Sequence, residues 1–472
     1  MTHDRRPRLR PIRQLALFGA SCLAACAHYQ PRPIDAAVTA LAHETRTLAD
    51  SGLQDFIRES SPERAQPWPR PTWDLAGLTL VAFYYHPEIE TARARLAGAE
   101  AAILTAGARP NPSAGFSPTY HGNPAAGVSP WTLGFSLDVP IETAGKRGDR
   151  IAQAQQLANA ARLNVVNTAW QIRSRVRQSL LDLYAADTTR ELLAQQQEVQ
   201  NQTVGRLEER FQAGQVSLTE VQIVRIAAAQ TALQLREAEK QSAQARVRLA
   251  DALGVSVGAI ENGSFDLSMF AALDVSGDPA ALRREALLNR PDILGALAEY
   301  DASESALRLE IAKQYPDVHL GPGYAWDQGE NTFSLGLSVA LPVFNRNQGP
   351  IAESEAHVRQ AAAAFLAVQA SVIRDVDSAL VSYRDSSSKL KTADSLLADQ
   401  RRRMQLMQES FDAGASDRVE LLQTRLELNS GELERANALI EAQQALGALE
   451  EALRRPANDT NTTTIPPALL KP

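Results

Sequence analysis

The sequence predicts a mainly helical protein with a small β part, built from a unit of helix, strand, strand, long helix and helix that occurs twice. Three observations predict this fold class. Proline is absent from Ile141 to Asp278 and again from Ile351 to Arg455, so uninterrupted helices can form there. Short segments of alternating apolar residues precede both stretches. Several sequence anchors also recur about 200 residues apart.

The first 25 residues are expected to be the signal peptide of a lipoprotein. A basic start with five arginines is followed by a short apolar run and by Leu23-Ala24-Ala25-Cys26. This ending matches a lipobox, in which Cys26 is acylated after cleavage. A plain signal peptide with an incidental cysteine is the alternative. Removal of five Arg and one Asp would change the net charge from −7 to −11.

Residues 26–72 are expected to form an N-terminal anchor and a linker. Short helical patterns occur at about 36–48 and 53–57, and prolines 62, 67, 69 and 71 follow. The segment could lie as a brace against the long helices, or it could be a flexible spacer from the lipid. The sequence leaves both open.

The repeat defines the rest of the chain. His86-Pro87 corresponds to Arg290-Pro291 and Tyr120 to Tyr324, both 204 residues apart, and Phe211 corresponds to Phe411 at 200. Anchors in one order with nearly constant offsets indicate a duplicated unit. We therefore expect a first repeat at 73–278, a second at 279–455 and a tail at 456–472.

Two long helices dominate the repeats, at about 145–212 and 347–412, each followed by a shorter helix, at about 217–253 and 417–454. A helix of that first length would extend about 100 Å at 1.5 Å per residue. Its apolar residues recur at steps of three and four, which predicts one buried face: Val165, Ala169, Ile172, Val176, Leu180 and Leu183. So long and polar a helix must pack along its length, as in a coiled coil.

Four strands are predicted, at about 113–120, 131–139, 317–324 and 332–341, with exposed loops at 121–130 and 325–331. Leu133, Phe135 and Leu137 alternate with small or polar residues, as do Phe333 and Leu335. This alternation fits a barrel wall between lipid and water, and a soluble hairpin packed on the helices is the alternative. Four strands cannot close a barrel, so several chains would have to share one.

The sequence offers little chemistry of an enzyme. Gly145-Lys146-Arg147 lacks the preceding Gly and the following Ser or Thr of a phosphate loop. The seven histidines are scattered without the spacing of a metal site, and no nucleophile stands beside a base. An acidic chain is also a poor candidate for nucleic acid. We expect no enzyme activity, no cofactor and no resident metal, and no mature segment reads as a transmembrane helix.

From Trp73 to Arg455 the sequence resembles the TolC-like outer-membrane efflux proteins. The stretches 140–147 and 342–349 look like the strand-to-helix junctions of the CzcC-like branch, which serves heavy-metal pumps. The first junction of that branch usually has a second Gly where this chain has Ala144. The repeat and the junctions are specific for the family.

The resemblance implies a homotrimer with a helical tunnel, topped by a 12-stranded transmembrane β-barrel in the outer membrane. It implies a passive exit duct, lipid-anchored, that works with a periplasmic adaptor protein and an inner-membrane pump of the resistance–nodulation–division class. Heavy-metal cations are the expected cargo. Drugs or other small organic molecules are the alternative cargo. A non-transporting coiled-coil scaffold is the alternative of another class.

The resemblance also implies where the site residues lie. The turns after the long helices would dock onto the adaptor, through Ala213, Gly214, Gln215, Ala413, Gly414 and Ala415. Glu420 would belong to an acidic ring at the pore entrance, joined by Asp417 and by its first-repeat equivalent Glu220. A solvated charge on a helix face is the alternative for Glu420.

Overall fold

The computed structural model describes residues 29–273, 279–456 and 466–470 of the 472-residue chain. It consists of two units, one up to Thr45 and the other from Arg46 onward. The first unit holds helix α1 (Ala36–Glu44). The carboxylate of Asp35 begins this helix by accepting hydrogen bonds from the N–H groups of Ala37 and Val38. Cys26 and the predicted signal peptide lie outside the described residues.

The second unit contains both repeats. Helix α2 (Ser51–Ser60) precedes the first repeat, whose helices are α3 (Leu75–Tyr85), α4 (Pro87–Gly107), α5 (Lys146–Gln212) and α6 (Leu218–Leu253). Those in the second are α7 (Pro279–Asn289), α8 (Pro291–Ala312), α9 (Gln348–Asp412) and α10 (Arg418–Leu453). The strands are β1 (Ser113–Tyr120), β2 (Trp131–Ile141), β3 (Val318–Asp327) and β4 (Glu330–Val339). The mainly helical fold class with a small β part is confirmed.

Each repeat opens with a helix that the sequence analysis missed. These helices, α3 and α7, start 204 residues apart, the same offset as the anchors that follow them. In α3 every residue from Gly77 to Phe83 is buried. A helix buried on all sides has no polar face, so it lacks the 3.6-residue periodicity by which an amphipathic helix is recognised.

The segment from Arg46 to residue 72 packs against the helices, so it is a brace and not a free spacer. Leu53 and Ile57 of α2 are fully buried in the largest apolar cluster of the chain. Arg46 donates hydrogen bonds to the carbonyl oxygens of Tyr85 and Gly254, which links the segment to the end of α6. The predicted C-terminal tail also returns to this cluster, since Leu469 is buried in it.

Helix α5 is the central element of the second unit. All six residues predicted to form its buried face are at most 1% exposed, which confirms the periodicity. The helix packs against α4 and α6 of its own repeat and against α8 and α10 of the other. In the described residues, no helix combines the length and the apolar character that crossing a lipid bilayer requires.

A buried ionic cluster joins α5 to α10. Arg173 and Arg177 of α5 lie 3.4 and 3.2 Å from one carboxylate oxygen of Glu450. Arg177 also donates to the backbone and side-chain oxygens of Gln443, both at 3.1 Å. Burial lowers the pKa of Arg177, because removal from water disfavours the charged form. At Gly447 a Cβ would lie 2.4 Å from a guanidinium nitrogen of Arg177, so this close approach needs glycine.

The four strands form one antiparallel sheet in the order β1-β2-β3-β4, so the two predicted hairpins join side by side. The register places all large apolar side chains on one side, the apolar face. Phe116, Phe135, Tyr324 and Phe333 form a row of neighbouring rings across it. The opposite side, the polar face, carries Thr132, Gly134, Ser136, Asp138, His319, Gly321, Gly323, Asp327, Thr332, Ser334, Gly336 and Ser338.

The predicted loop at 325–331 is wrong. Strands β3 and β4 continue to Asp327 and from Glu330, and only Gln328 and Gly329 lie between them. Both residues have positive φ, +48° and +110°, as a two-residue type I′ turn requires. The turn escaped notice because Gln occupies a position where Asn or Asp is the usual signal.

The junctions between strand and long helix fix the sheet to the helices. The Thr143 N–H and the Lys146 ammonium both donate to one carboxylate oxygen of Asp317, at 3.0 and 2.7 Å. Ala144 and Gly145 turn the chain with φ of +56° and +76°. In the second junction Asn347 has a φ of +64° and donates to the carbonyl oxygen of Glu310. Both junctions therefore depend on left-handed backbone.

We predict that Glu450→Gln strongly destabilises the protein. The substitution keeps the side-chain volume but leaves two buried guanidinium groups without a counter-charge, which costs about 3–5 kcal/mol. Urea unfolding of the purified protein in detergent would measure the loss. Glu441→Gln is the control, because its partner Lys389 is exposed and such pairs contribute at most about 1 kcal/mol. Equal effects of the two variants would contradict the prediction.

Candidate functional site: the helix tips

The two long helices end in the same turn, which we call the first tip (residues 211–220) and the second tip (residues 411–420). In the first tip Gly214 donates to the carbonyl oxygen of Phe211, and Gln215 to that of Arg210, both at 2.9 Å. This pair of hydrogen bonds is a Schellman motif. Gly214 has a φ of +72°, which favours glycine because other residues pay a steric cost there.

The second tip repeats this geometry. Gly414 donates to Phe411 and Ala415 to Ser410, again at 2.9 Å, and Gly414 has a φ of +70°. All six residues predicted to dock onto the adaptor are exposed in the chain. The tips therefore present small side chains and backbone to the solvent, which permits close approach of another protein. Docking itself stays a prediction.

The three carboxylates predicted for the pore entrance all belong to helix caps. Ser217 and Glu220 form a capping box at the start of α6, and Asp417 and Glu420 form one at the start of α10. The Glu220 carboxylate accepts from the N–H of Ser217 at 3.1 Å, and this bond lowers its pKa. Glu420 accepts from the N–H of Asp417 at 3.3 Å. The pattern S/D-x-x-E was a signal for these caps that the sequence analysis did not use.

The two tips are held together by an apolar cluster. Leu207 of α5, Val221 of α6 and Val419 of α10 are buried against one another. Val216 and Val224 pack at its edge. The cluster brings Glu220 and Glu420 to the same end of the helices. Both carboxylates remain exposed there.

An ion pair also connects the tips. A guanidinium nitrogen of Arg210, on the last turn of α5, lies 3.1 Å from a carboxylate oxygen of Asp417. Hydrogen bonds from the Glu420 N–H and from Arg210 hold the pKa of Asp417 below its ordinary value. In the other repeat Ser410 corresponds to Arg210 and Ser217 corresponds to Asp417, so the tips contain this ion pair once. Sequence reasoning missed Arg210, because its partner is 207 residues away.

The tips carry charge and caps but no set of metal ligands. Within the described ranges, no three His, Cys, Asp or Glu side chains are grouped closely enough to hold a metal ion. The carboxylates of the tips can act through their charge. Carboxylates near an aqueous constriction attract cations and repel anions.

Comparisons with known proteins identify this architecture. The model of the family "Outer membrane efflux protein" matches residues 83–255 and 282–454, one copy in each repeat. The cobalt-zinc-cadmium resistance protein CzcC of Cupriavidus metallidurans is 25% identical over 68% of this chain and 76% of its own length. The pyoverdine export outer membrane protein OpmQ of Pseudomonas aeruginosa is 23% identical over 92% of this chain and 97% of its own.

A solved structure shows the same fold. The outer membrane protein VceC of Vibrio cholerae superimposes with a TM-score of 0.64 at 20% identity, covering 80% of this chain and 95% of that one. With the two matches of the family model, the chain belongs to the outer membrane efflux protein family. It is an outer-membrane efflux channel and not an enzyme, which confirms the resemblance drawn from the repeat and the junctions.

We predict that Asp417→Asn loosens the contact between the tips while the helix cap persists. Asparagine caps a helix as well as aspartate does, but it cannot pair with Arg210. Hydrogen exchange of residues 205–225 and 410–425 should quicken modestly, since a half-exposed pair contributes only about 0.2–1 kcal/mol.

The pH dependence follows from the lowered pKa of Asp417. A carboxylate with a lowered pKa in the folded state stabilises above its unfolded pKa and loses that effect as the pH falls through the folded one. The difference between wild type and Asp417→Asn should therefore shrink in acid. Faster exchange in the variant that persists below the pKa of Asp417 would contradict the assignment.

Proposed function

We propose that the protein is the exit duct of a tripartite efflux system, working with a periplasmic adaptor and an inner-membrane pump of the resistance–nodulation–division class. The proposed cargo is heavy-metal cations. We assign this cargo because the chain is similar to the cobalt-zinc-cadmium resistance protein, and the junction sequences at 140–147 and 342–349 support the assignment. A passive duct needs neither cofactor nor nucleophile.

The exposed sheet supports assembly as a homotrimer. On its apolar face Phe333, Leu335 and Leu337 are each more than 70% exposed in the single chain. Strands β1 and β4 also leave the hydrogen-bonding groups of their outer edges unpaired by the sheet. Lipid against the apolar face and neighbouring copies at the two edges would satisfy both. Three copies of four strands give the proposed barrel of twelve.

Lipid anchoring through Cys26 is part of the proposal. Its basis is the sequence Leu23-Ala24-Ala25-Cys26, because this part of the chain lies outside the described residues. A thioether-linked lipid at Cys26 would add an anchor to the membrane contact of the strands.

Export of small organic molecules is the second candidate. The pyoverdine export protein is similar over nearly the whole chain, although its identity is slightly lower than that of the metal resistance protein. A duct open to passage need not contact its cargo specifically, so the two candidates differ in the pump they serve more than in the channel wall.

The proposed function is tested by export through a tip variant. In cells that depend on this chain, Gly414→Pro should abolish metal export, because proline cannot adopt a φ of +70° and lacks the N–H that closes the turn. Intracellular cobalt, zinc and cadmium would be measured by mass spectrometry, beside retention of a fluorescent organic dye. Gly414→Asn is the matched control, since asparagine tolerates left-handed backbone.

We expect both variants to form trimers on native gels, because docking and not assembly is the role proposed for the tip. Loss of trimers in Gly414→Pro would contradict the docking role of the tip. If cells with Gly414→Pro retain the dye while their metal content is unchanged, the cargo is organic molecules and not heavy-metal cations.

The charge of Glu420 is tested separately from its cap. Glutamine at this position keeps a side-chain oxygen for the capping box, whereas alanine removes both the charge and the hydrogen bond. If the carboxylate narrows the entrance, Glu420→Gln and Glu420→Ala should both raise single-channel conductance and lower cation selectivity in planar bilayers. An effect of alanine alone would assign Glu420 to the cap and not to the entrance.

A further inference from the structure

Two histidines lie at the seam between the repeats, where β2 pairs with β3. His319 is in β3, on the polar face of the sheet, and His121 follows the end of β1. Each is joined to a carboxylate that belongs to a different element of the chain. The two places are six residues apart along β2, from Thr132 to Asp138, or about 20 Å at 3.4 Å per residue.

The contact of His319 determines which ring nitrogen is free of hydrogen. Nδ1 lies 3.1 and 3.0 Å from the two carboxylate oxygens of Asp138. An ionised carboxylate only accepts hydrogen bonds, so Nδ1 must donate its proton to it. In the neutral ring Nε2 then carries a lone pair, and the side chain is 43% exposed. His319 therefore presents an oriented imidazole nitrogen beside the polar face.

The tautomer of His121 is also determined by a carboxylate, which acts through the hydroxyl of Thr132. The Thr132 hydroxyl donates to the Asp327 carboxylate at 2.5 Å, so its oxygen is left to accept. Nε2 of His121 lies 2.9 Å from that oxygen and must be the donor. The lone pair of the neutral ring is then on Nδ1. A carboxylate thus sets the tautomer of both histidines, once directly and once by relay.

We propose that His319 and His121 are two separate, weak binding positions for a borderline divalent cation such as Zn²⁺, one at each end of the polar face. Imidazole nitrogen is a preferred ligand of such cations. Metal-binding histidines usually donate their other ring N–H to a carboxylate, which orients the ring and makes it more basic. The proposal rests on the proposed function in one respect, because cargo meets these positions only if the polar face lines the duct.

Weak binding is what the geometry allows. Each position offers one imidazole nitrogen as a ligand, because its carboxylate lies on the N–H side of the ring, and no group of three metal ligands occurs in the described part of the chain. A structural zinc site uses four protein ligands, so an ion here would keep most of its water. Conduction requires sites that an ion enters and leaves readily. The positions are therefore contacts for passing cargo and not a resident metal site.

Protection of the rings by Zn²⁺ tests the proposal on the full-length protein in detergent. Diethyl pyrocarbonate modifies unprotonated imidazole, and mass spectrometry reads its extent at each histidine. Zn²⁺ should slow modification of His319 and His121 several-fold, whereas Mg²⁺, which prefers oxygen ligands, should not. His43, exposed on α1, is the reference ring and should react equally with and without Zn²⁺. Equal protection of all three rings, or of none, would overturn the proposal.

Two matched variants test the role of the carboxylates. Asp138→Asn should raise the Zn²⁺ concentration for half-protection of His319 by about tenfold and leave that of His121 unchanged. Asp327→Asn should do the reverse. A crossed pattern of this kind cannot result from a general change in folding. If neither concentration shifts, the carboxylates only join the strands, and the proposal is overturned.

The outcome is separable from that of the proposed function. Metal export in cells with no protection by Zn²⁺ would remove the binding positions and leave the exit duct intact. Site-specific protection without metal export would keep the two positions and remove heavy-metal cations as the cargo.

Discussion

The buried ionic cluster of Arg173, Arg177 and Glu450 is the contact on which the arrangement of the two repeats depends. Two cations and one anion are removed from water, which is favourable only with compensation. Part of it comes from Gln443, whose amide nitrogen also donates to the carbonyl oxygen of Ala272 at 2.7 Å. The cluster fixes how far α10 is shifted along α5. A shift by one turn would separate the charges, so the cluster selects one register among many for these two long helices.

The two repeats also meet at both ends of α5. At the tips the register of α10 on α5 brings Arg210 opposite Asp417 and closes the apolar cluster of Leu207, Val221 and Val419. At the other end of α5, Asp317 of the second repeat accepts from both Thr143 and Lys146, so the second repeat holds the junction of the first. Neither repeat completes its own ends. The repeat is therefore a unit of the sequence, but only the two repeats together form a complete folded unit.

The four-stranded sheet has two faces of different chemical character. Its apolar face has rings and aliphatic side chains in neighbouring register, while the polar face has Gly, Ser and Thr with few larger side chains. His319, His121 and their carboxylates are exceptions on the polar side. Small residues leave room for water and ions near these exceptions, which is consistent with a channel wall.

The sequence by itself determined the elements. The long helices, the alternation in Leu133–Val139 and the glycine turns at Gly214 and Gly414 follow from local periodicity and backbone preference, which act between near neighbours. It failed at α3, which is buried on all sides, and at Gln328-Gly329, where the turn has an unusual residue. For Glu420 the spacing from Asp417 indicates the capping box, and its place at a pore entrance stays a prediction.

Only the tertiary structure decided which distant residues meet. The pairs Arg177 with Glu450, Arg210 with Asp417 and His319 with Asp138 are 273, 207 and 181 residues apart, by their numbers in the chain. No local rule connects them, because each depends on the register between helices or strands. The sequence shows which residues can form ion pairs and hydrogen bonds, but the packing of helices and strands decides which of them pair.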